Sequence, residues 1–119
     1  MTITRRQLVQ AFGASAALGA LHPFAAHAQV DQVKVYFGFP AGSSGDTVAR
    51  RAAEKWGGSA FSKNAGVVEN KPGAGGRIAL ESLKAAPADG SVLAVAQVSA
   101  LANYPHIYSK MNYTDKDFA

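Results

Sequence analysis

The sequence predicts an α/β fold, a βαβαβ unit with parallel strands. Three observations carry that reading: three short runs of β-branched and aromatic residues, two intervening segments whose apolar residues recur at helical spacing, and short glycine-bearing loops that lead from strand into helix. Val33-Lys34-Val35-Tyr36-Phe37 alternates in the manner of a strand, and Gly38-Phe39-Pro40 ends it. From Asp46 the period changes. Val48, Ala49, Ala52, Ala53 and Trp56 fall on one helical face, Arg50, Arg51, Glu54 and Lys55 on the other, with Asp46 as the expected N-cap and Gly57-Gly58 as the stop.

Ala65 to Glu69, centred on Val67-Val68, reads as the second strand. Arg77 to Ala85 reads as a helix whose Ile78, Leu80 and Leu83 pack on a sheet. Pro87-Ala88-Asp89-Gly90 is a turn, since proline fixes φ and the Asp-Gly pair permits positive φ. Val92 to Val98 is nearly all apolar, the pattern expected of a central parallel strand covered on both faces. The tail, Asn103 to Tyr108 and then Met111 to Ala119, reads as irregular or single-turn helical structure. Crossover connections of one hand place both glycine loops on one edge of the sheet, the edge where open α/β sheets bind ligands.

The first 28 residues are set aside from the fold. Arg5-Arg6 form a basic start, Leu8 to Leu21 a mostly apolar run too short to span a bilayer, and Ala26-His27-Ala28 a small-residue cleavage signature. Residues 1–28 are therefore an export signal cut near Ala28, by the general secretory route or, from the paired arginines, the twin-arginine route. The expected destination is the bacterial periplasm. The 119-residue chain carries 12 Lys and Arg against 8 Asp and Glu, a formal net charge of +4. Two of those charges leave with the leader, the remaining cations are scattered, and no aromatic residues interleave with them, so nucleic acid is not an expected partner.

The chain has no cysteine. That removes disulfides, thiolate chemistry and cysteine-ligated zinc, and leaves an exported chain of this size to be held by its core. His106 is the only histidine after the leader, and Asp46, Glu69 and Asp89 have structural roles as cap, strand end and turn. A triad or metal cluster needs more than that, so no catalytic residue, metal or cofactor is expected and the chemistry is binding without turnover. Neither loop fits a dinucleotide or Walker pattern: Ile78 stands where Gly73-x-Gly75 would need a third glycine, and no Gly-Lys-Ser/Thr ending occurs.

The two loops, Phe39 to Asp46 and Glu69 to Gly76, are the candidate site. Each opens a helix, where unpaired amides and the peptide dipoles favour an anion, and Ser43, Ser44, Asn70, Lys71 and Arg77 add donors or positive field. Either loop alone is equally well read as a turn that needs positive φ. Two on one edge point to a cradle for a carboxylate.

These residues also carry a resemblance. Phe-Pro-Ala-Gly-x-x-x-Asp (Phe39 to Asp46), Glu-Asn-Lys-Pro-Gly-Ala-Gly-Gly (Glu69 to Gly76), Ala-Pro-Ala-Asp-Gly (Ala86 to Gly90), Pro-His-Ile-Tyr (Pro105 to Tyr108) and Lys-Asp-Phe-Ala (Lys116 to Ala119) closely resemble the Bug-type substrate-binding proteins of tripartite tricarboxylate transporters. The resemblance implies a two-lobed, type II-like periplasmic binding protein, monomeric at full length, that closes on a small carboxylate or amino-acid-like solute and delivers it to membrane permease subunits. Carried over by position, the implied ligand-binding residues are Phe39, Ala41, Ser43, Asp46, Gly73, Ala74, Gly75, Gln97 and Ser99. Ser43 stands where a glycine is commoner, Ala96-Gln97 where Gly-Thr is usual, and Tyr104 where an asparagine usually precedes Pro105, so the identity of the solute does not carry over. Family members run well beyond Ala119, which implies that residues 29–119 are the N-terminal part of lobe 1, with the second lobe missing. Two other readings stand beside transport: an exported sensory or interaction protein of the same fold that signals to a membrane kinase, and a truncated product without function.

Overall fold

The computed structural model describes residues 29–118; the expected leader and its cleavage site lie outside them. Three parallel strands form one sheet: β1 (Val30–Phe37), β2 (Ser62–Asn70) and β3 (Val92–Val95), in the order β2-β1-β3. Helix α1 (Ser44–Trp56) joins β1 to β2, and α2 (Arg77–Lys84) joins β2 to β3. Two short helices, α3 (Val98–Ala102) and α4 (Tyr104–Ile107), and a 3-10 turn at Asp115–Asp117 complete the described chain. This is the predicted βαβαβ unit.

Alternation in β1 sorts its side chains. Val33, Val35 and Phe37 are buried and form a core with Ala49 and Ala53 of α1 and Val68 of β2, flanked by Trp56, Leu93 and Val95. Small alanines on the inner face of α1 let the helix lie close to the strands. On the opposite face, Leu80 of α2, Ala100 of α3 and Tyr113 form a second core, with Leu83, Ala94, Leu101, Tyr104, Met111 and Phe118 against it. Tyr113 is 2 % exposed, and its hydroxyl donates to the Ala100 carbonyl at 2.9 Å. That bond lets a polar ring sit in an apolar layer. The tail is thereby packed onto the fold, and its single turns at Tyr104–Ile107 and Asp115–Asp117 match the irregular or single-turn course the sequence predicts for it.

Three expectations need correction. The apolar run from Val92 to Val98 is not one central strand: β3 stops at Val95, Ala96-Gln97 turns away, and Val98 opens α3 with 81 % exposure. β1 is the central strand. The run is apolar because β3 packs in part on both faces, Leu93 and Val95 against the first core and Ala94 against the second, which its sequence cannot distinguish from a central position. The N-cap of α1 is Ser43, not Asp46: Ser43 Oγ accepts the Asp46 amide, and Asp46 occupies the third helical position. β2 also begins earlier than predicted, at Ser62, with a register shift against β1 between Gln32 and Lys34.

Candidate functional site

The three strands end level with one another. Phe37 pairs with Asn70 on one side and with Val95 on the other, so the loops after β1, β2 and β3 all depart from one edge at the same height. With strand order β2-β1-β3, the chain leaves β1 toward β2 and later crosses back to β3. The reversal of direction between β1 and β3 is where an open α/β sheet forms a crevice.

The first two loops meet backbone to backbone. A methyl group on Gly38 would come within 2.5 Å of Gly76 Cα, closer than any side chain is tolerated, so this approach requires glycine. The Phe39 ring covers Gly76 and lies against Phe37 at 5.6 Å between centroids. Asn70, the last residue of β2, donates from Nδ2 to the Phe39 carbonyl at 3.1 Å and to Asp46 Oδ1 at 2.7 Å, while its own Oδ1 accepts from Arg50 Nη2 at 2.9 Å. Asp46 Oδ2 accepts from Arg50 Nε and from the Gly42 amide, each at 2.9 Å. The Arg50 guanidinium first, then the Gly42 amide and the Asn70 side chain, lower the Asp46 carboxyl pKa to about 2. Asp46 is 2 % exposed and fully partnered. Its carboxylate sets the shape of the first loop and neutralises its own charge on Arg50.

The second loop is a turn of the mirror-image kind. Gly73, Ala74, Gly75 and Gly76 all have positive φ, and the Gly76 amide closes on the Gly73 carbonyl at 2.9 Å. Ala74 is the one non-glycine residue at positive φ among those described, a conformation that stores strain for a residue with a Cβ. The amides of Ala74 and Gly75, and those of Ser44 and Gly45 in the first turn of α1, donate no hydrogen bond among the described residues. Gly75 lies under the Tyr104 hydroxyl. Arg77 Nε donates to the Ala74 carbonyl at 3.0 Å, and its guanidinium carbon stands 4.0 Å from the centre of the Tyr108 ring.

Of the expected ligand residues, Phe39, Gly73, Ala74 and Gly75 lie where the first two loops converge, Ala41 is exposed on the first loop, and Ser43 caps α1 beside it. Gln97 and Ser99 stand on the same edge at the end of β3; Gln97 precedes α3 with no side-chain cap bond, and Ser99 is half-buried. Arg50, Tyr104 and Tyr108 were not among the expected site residues. The Asp46–Arg50 spacing of four on a helix is the signal that identifies the first; the tyrosines come from a tail with no local pattern. A hollow of about 650 Å³ opens elsewhere, along β3, lined by Leu80, Leu83, Val92, Leu93, Leu101 and Phe118 among others. No group of His, Asp or Glu among the described residues could hold a metal ion, and no described helix is long and apolar enough to cross a membrane.

A parallel α/β unit that gathers its loops at the carboxyl edge of the sheet has the architecture of a ligand-binding lobe. The family model of the tripartite tricarboxylate transporter family receptor, TctC, matches residues 48–119, and the chain belongs to that family. Its members are periplasmic transport receptors and not enzymes. The matched range contains the second glycine loop, β3 and the tail, and begins within α1, after the first loop. Comparison with curated proteins and with solved structures gave no match.

Proposed function

We propose that this receptor binds a small carboxylate-bearing solute between its first two glycine loops, through backbone amides, and passes it to membrane permease subunits. The carrying observation is the convergence of two loops whose amides at Ser44, Gly45, Ala74 and Gly75 have no partner among the described residues. Amides preorganised at helix starts stabilise negative charge without reorganising. The neighbouring carboxylate, Asp46, is held ionised but paired with Arg50, so its repulsion toward an anion is reduced. Phe39, Gln97 and Ser99 supply the apolar wall and side-chain donors that fix the orientation of the rest of the solute.

In this reading the leader directs export and is removed near Ala28, and residues 29–119 are one part of a two-lobed receptor whose further chain packs along β3. The half-exposed strand and the apolar hollow beside it support that arrangement. Calorimetric titration with di- and tricarboxylates beside their neutral amides tests the assignment. Carboxylates should bind and the amides should not; a preference for the amides refutes it.

A further inference from the structure

Gly73, Ala74, Gly75 and Gly76 run through consecutive left-handed conformations, with φ of 131°, 50°, 66° and 90°, before Arg77 resumes the right-handed form at φ −64°. A side chain stands over each glycine of this run: Ile78 Cδ1 over Gly73, Tyr104 over Gly75 and Phe39 over Gly76. Ala74 differs. It carries a Cβ in a conformation that penalises one, and it is exposed, so burial of its methyl does not offset the strain. Its carbonyl is held instead, accepting both the Arg77 amide and Arg77 Nε, the latter at 3.0 Å. The carbon of the same guanidinium stands 4.0 Å from the centre of the Tyr108 ring, and Tyr108 meets Tyr104 edge-on at 5.2 Å between centroids. One arginine thereby ties the strained residue of the loop to the tail.

We propose that Arg77, seated on Tyr108, is a positioning residue that latches the second glycine loop in its left-handed turn, so that the Ala74 and Gly75 amides keep one orientation only while the tail is docked. The proposal rests on the reading above that these amides bind the solute, and adds what holds them. Arg77 acts through the Ala74 carbonyl. When that bond opens, Ala74 relaxes toward negative φ, the Gly76 amide leaves the Gly73 carbonyl, and the loop amides lose their alignment with those of the first loop. Lysine lacks both the Nε–H donor and the planar face, so it cannot make the two contacts at once.

Hydrogen exchange at the Gly76 amide, bonded to the Gly73 carbonyl at 2.9 Å, reads the latch without any ligand. Arg77→Gln and Arg77→Lys should each speed that exchange about tenfold, and Tyr108→Leu about threefold. Exchange at the Lys34 amide, bonded to the Ser91 carbonyl within the sheet, should not change. Ala74→Gly removes the Cβ penalty, so combining it with Arg77→Gln should return Gly76 exchange to within about threefold of the unsubstituted rate. Calorimetric titration with succinate as the probe should follow the same order, weaker in Arg77→Gln and restored when Ala74→Gly is added. Unchanged Gly76 exchange in Arg77→Gln, or equal acceleration at Lys34, overturns the latch. Succinate binding that Ala74→Gly does not restore overturns the positioning role, because loss of an exposed methyl cannot replace a direct contact. If the unsubstituted protein binds neither succinate nor a tricarboxylate, the amide cradle falls and the positioning role with it, while Gly76 exchange still decides whether Arg77 holds the loop.

Discussion

Asn70 Nδ2 lies 2.7 Å from Asp46 Oδ1 and so joins the end of β2 to the first turn of α1 across 24 residues of chain. Because the same amide nitrogen also reaches the Phe39 carbonyl, one side chain fixes the first loop at two points. Asn70→Ala should therefore leave Asp46 and the Phe39 carbonyl short of a donor at once. The expected result is a melting temperature lower by on the order of 5 °C and a weaker grip on any carboxylate ligand. Asp46→Ala should do the same, and the double substitution should cost less than the sum of the two, since both remove one network. Additive losses would show that the two residues act separately.

Asp46 also sets an acid limit. Its folded carboxyl titrates at about 2, below the usual value near 4 of an unfolded aspartate. The unfolded chain thus takes up this proton first, and the stabilisation is fully present above about pH 4 and is lost as pH falls toward 2. Asp31, Glu69, Asp89 and Asp117 are lowered as well, by Lys63, Lys71, Ser91 and the Thr114 amide respectively, so the whole chain should lose stability in acid. Asp46→Asn should start less stable at neutral pH and show a shallower decline between about pH 4 and 2. Denaturant unfolding at a series of pH values measures the difference in slope.

The two close-approach glycines should behave differently under substitution. At Gly38 an added methyl meets the Gly76 backbone, which cannot rotate away, and the loops must part; Gly38→Ala should cost about 3 kcal/mol or more and abolish ligand binding. At Gly75 the methyl meets the far end of Tyr104, which can swing out, so Gly75→Ala should cost only the left-handed backbone penalty of about 1 kcal/mol. Adding Tyr104→Phe, which removes the hydroxyl and not the backbone strain, should leave that cost unchanged. Equal destabilisation at the two positions, by chemical unfolding, would contradict the contact between the loops.

What the sequence made legible follows the range of the interactions concerned. Period-two and helical spacing placed β1, α1, β2 and α2, because Val33, Val35, Ala49 and Leu80 announce their burial through their immediate neighbours. β3 was found but placed centrally, since an apolar run reports coverage of two faces and says nothing of which edges are paired. The loop ends Phe37, Asn70 and Val95 share one level only through sheet register, and that can be inferred from parallel topology. By contrast, Arg77 resting on Tyr108 and Tyr113 bonded to Ala100 join residues 31 and 13 apart through a tail without periodicity, so composition carries no trace of either. The capping role passed from Asp46 to Ser43 for a local reason: a serine three residues before an acid is the capping-box order, and the acid belongs at the third position.

Tyr113 allows the contribution of the tail to be measured. Tyr113→Phe keeps the ring and removes the hydroxyl, leaving the Ala100 carbonyl without this donor, and should cost about 1 kcal/mol. Tyr113→Ala empties the second core and should cost about 3–5 kcal/mol. If the tail packs as described, hydrogen exchange at the α3 amides should accelerate in both variants, while the β1 amides, which lie in the first core, respond only to the larger loss. No response in α3 would mean that the tail is not bound there.

The outer edge of β3 leads to a prediction about association. Its four residues are half-buried, no strand among those described pairs with that edge, and the hollow beside it is lined by the partly buried Leu83, Leu93 and Phe118 over the buried Leu80. An unpaired edge next to an apolar trough recruits another strand, either from further polypeptide of the same chain or from a second molecule. Residues 29–119 produced alone should therefore self-associate with rising concentration in sedimentation velocity. Leu83→Lys, which puts a charge into the trough without touching the amide loops, should reduce that association. A monomer whose sedimentation is independent of concentration would show that the edge is already protected.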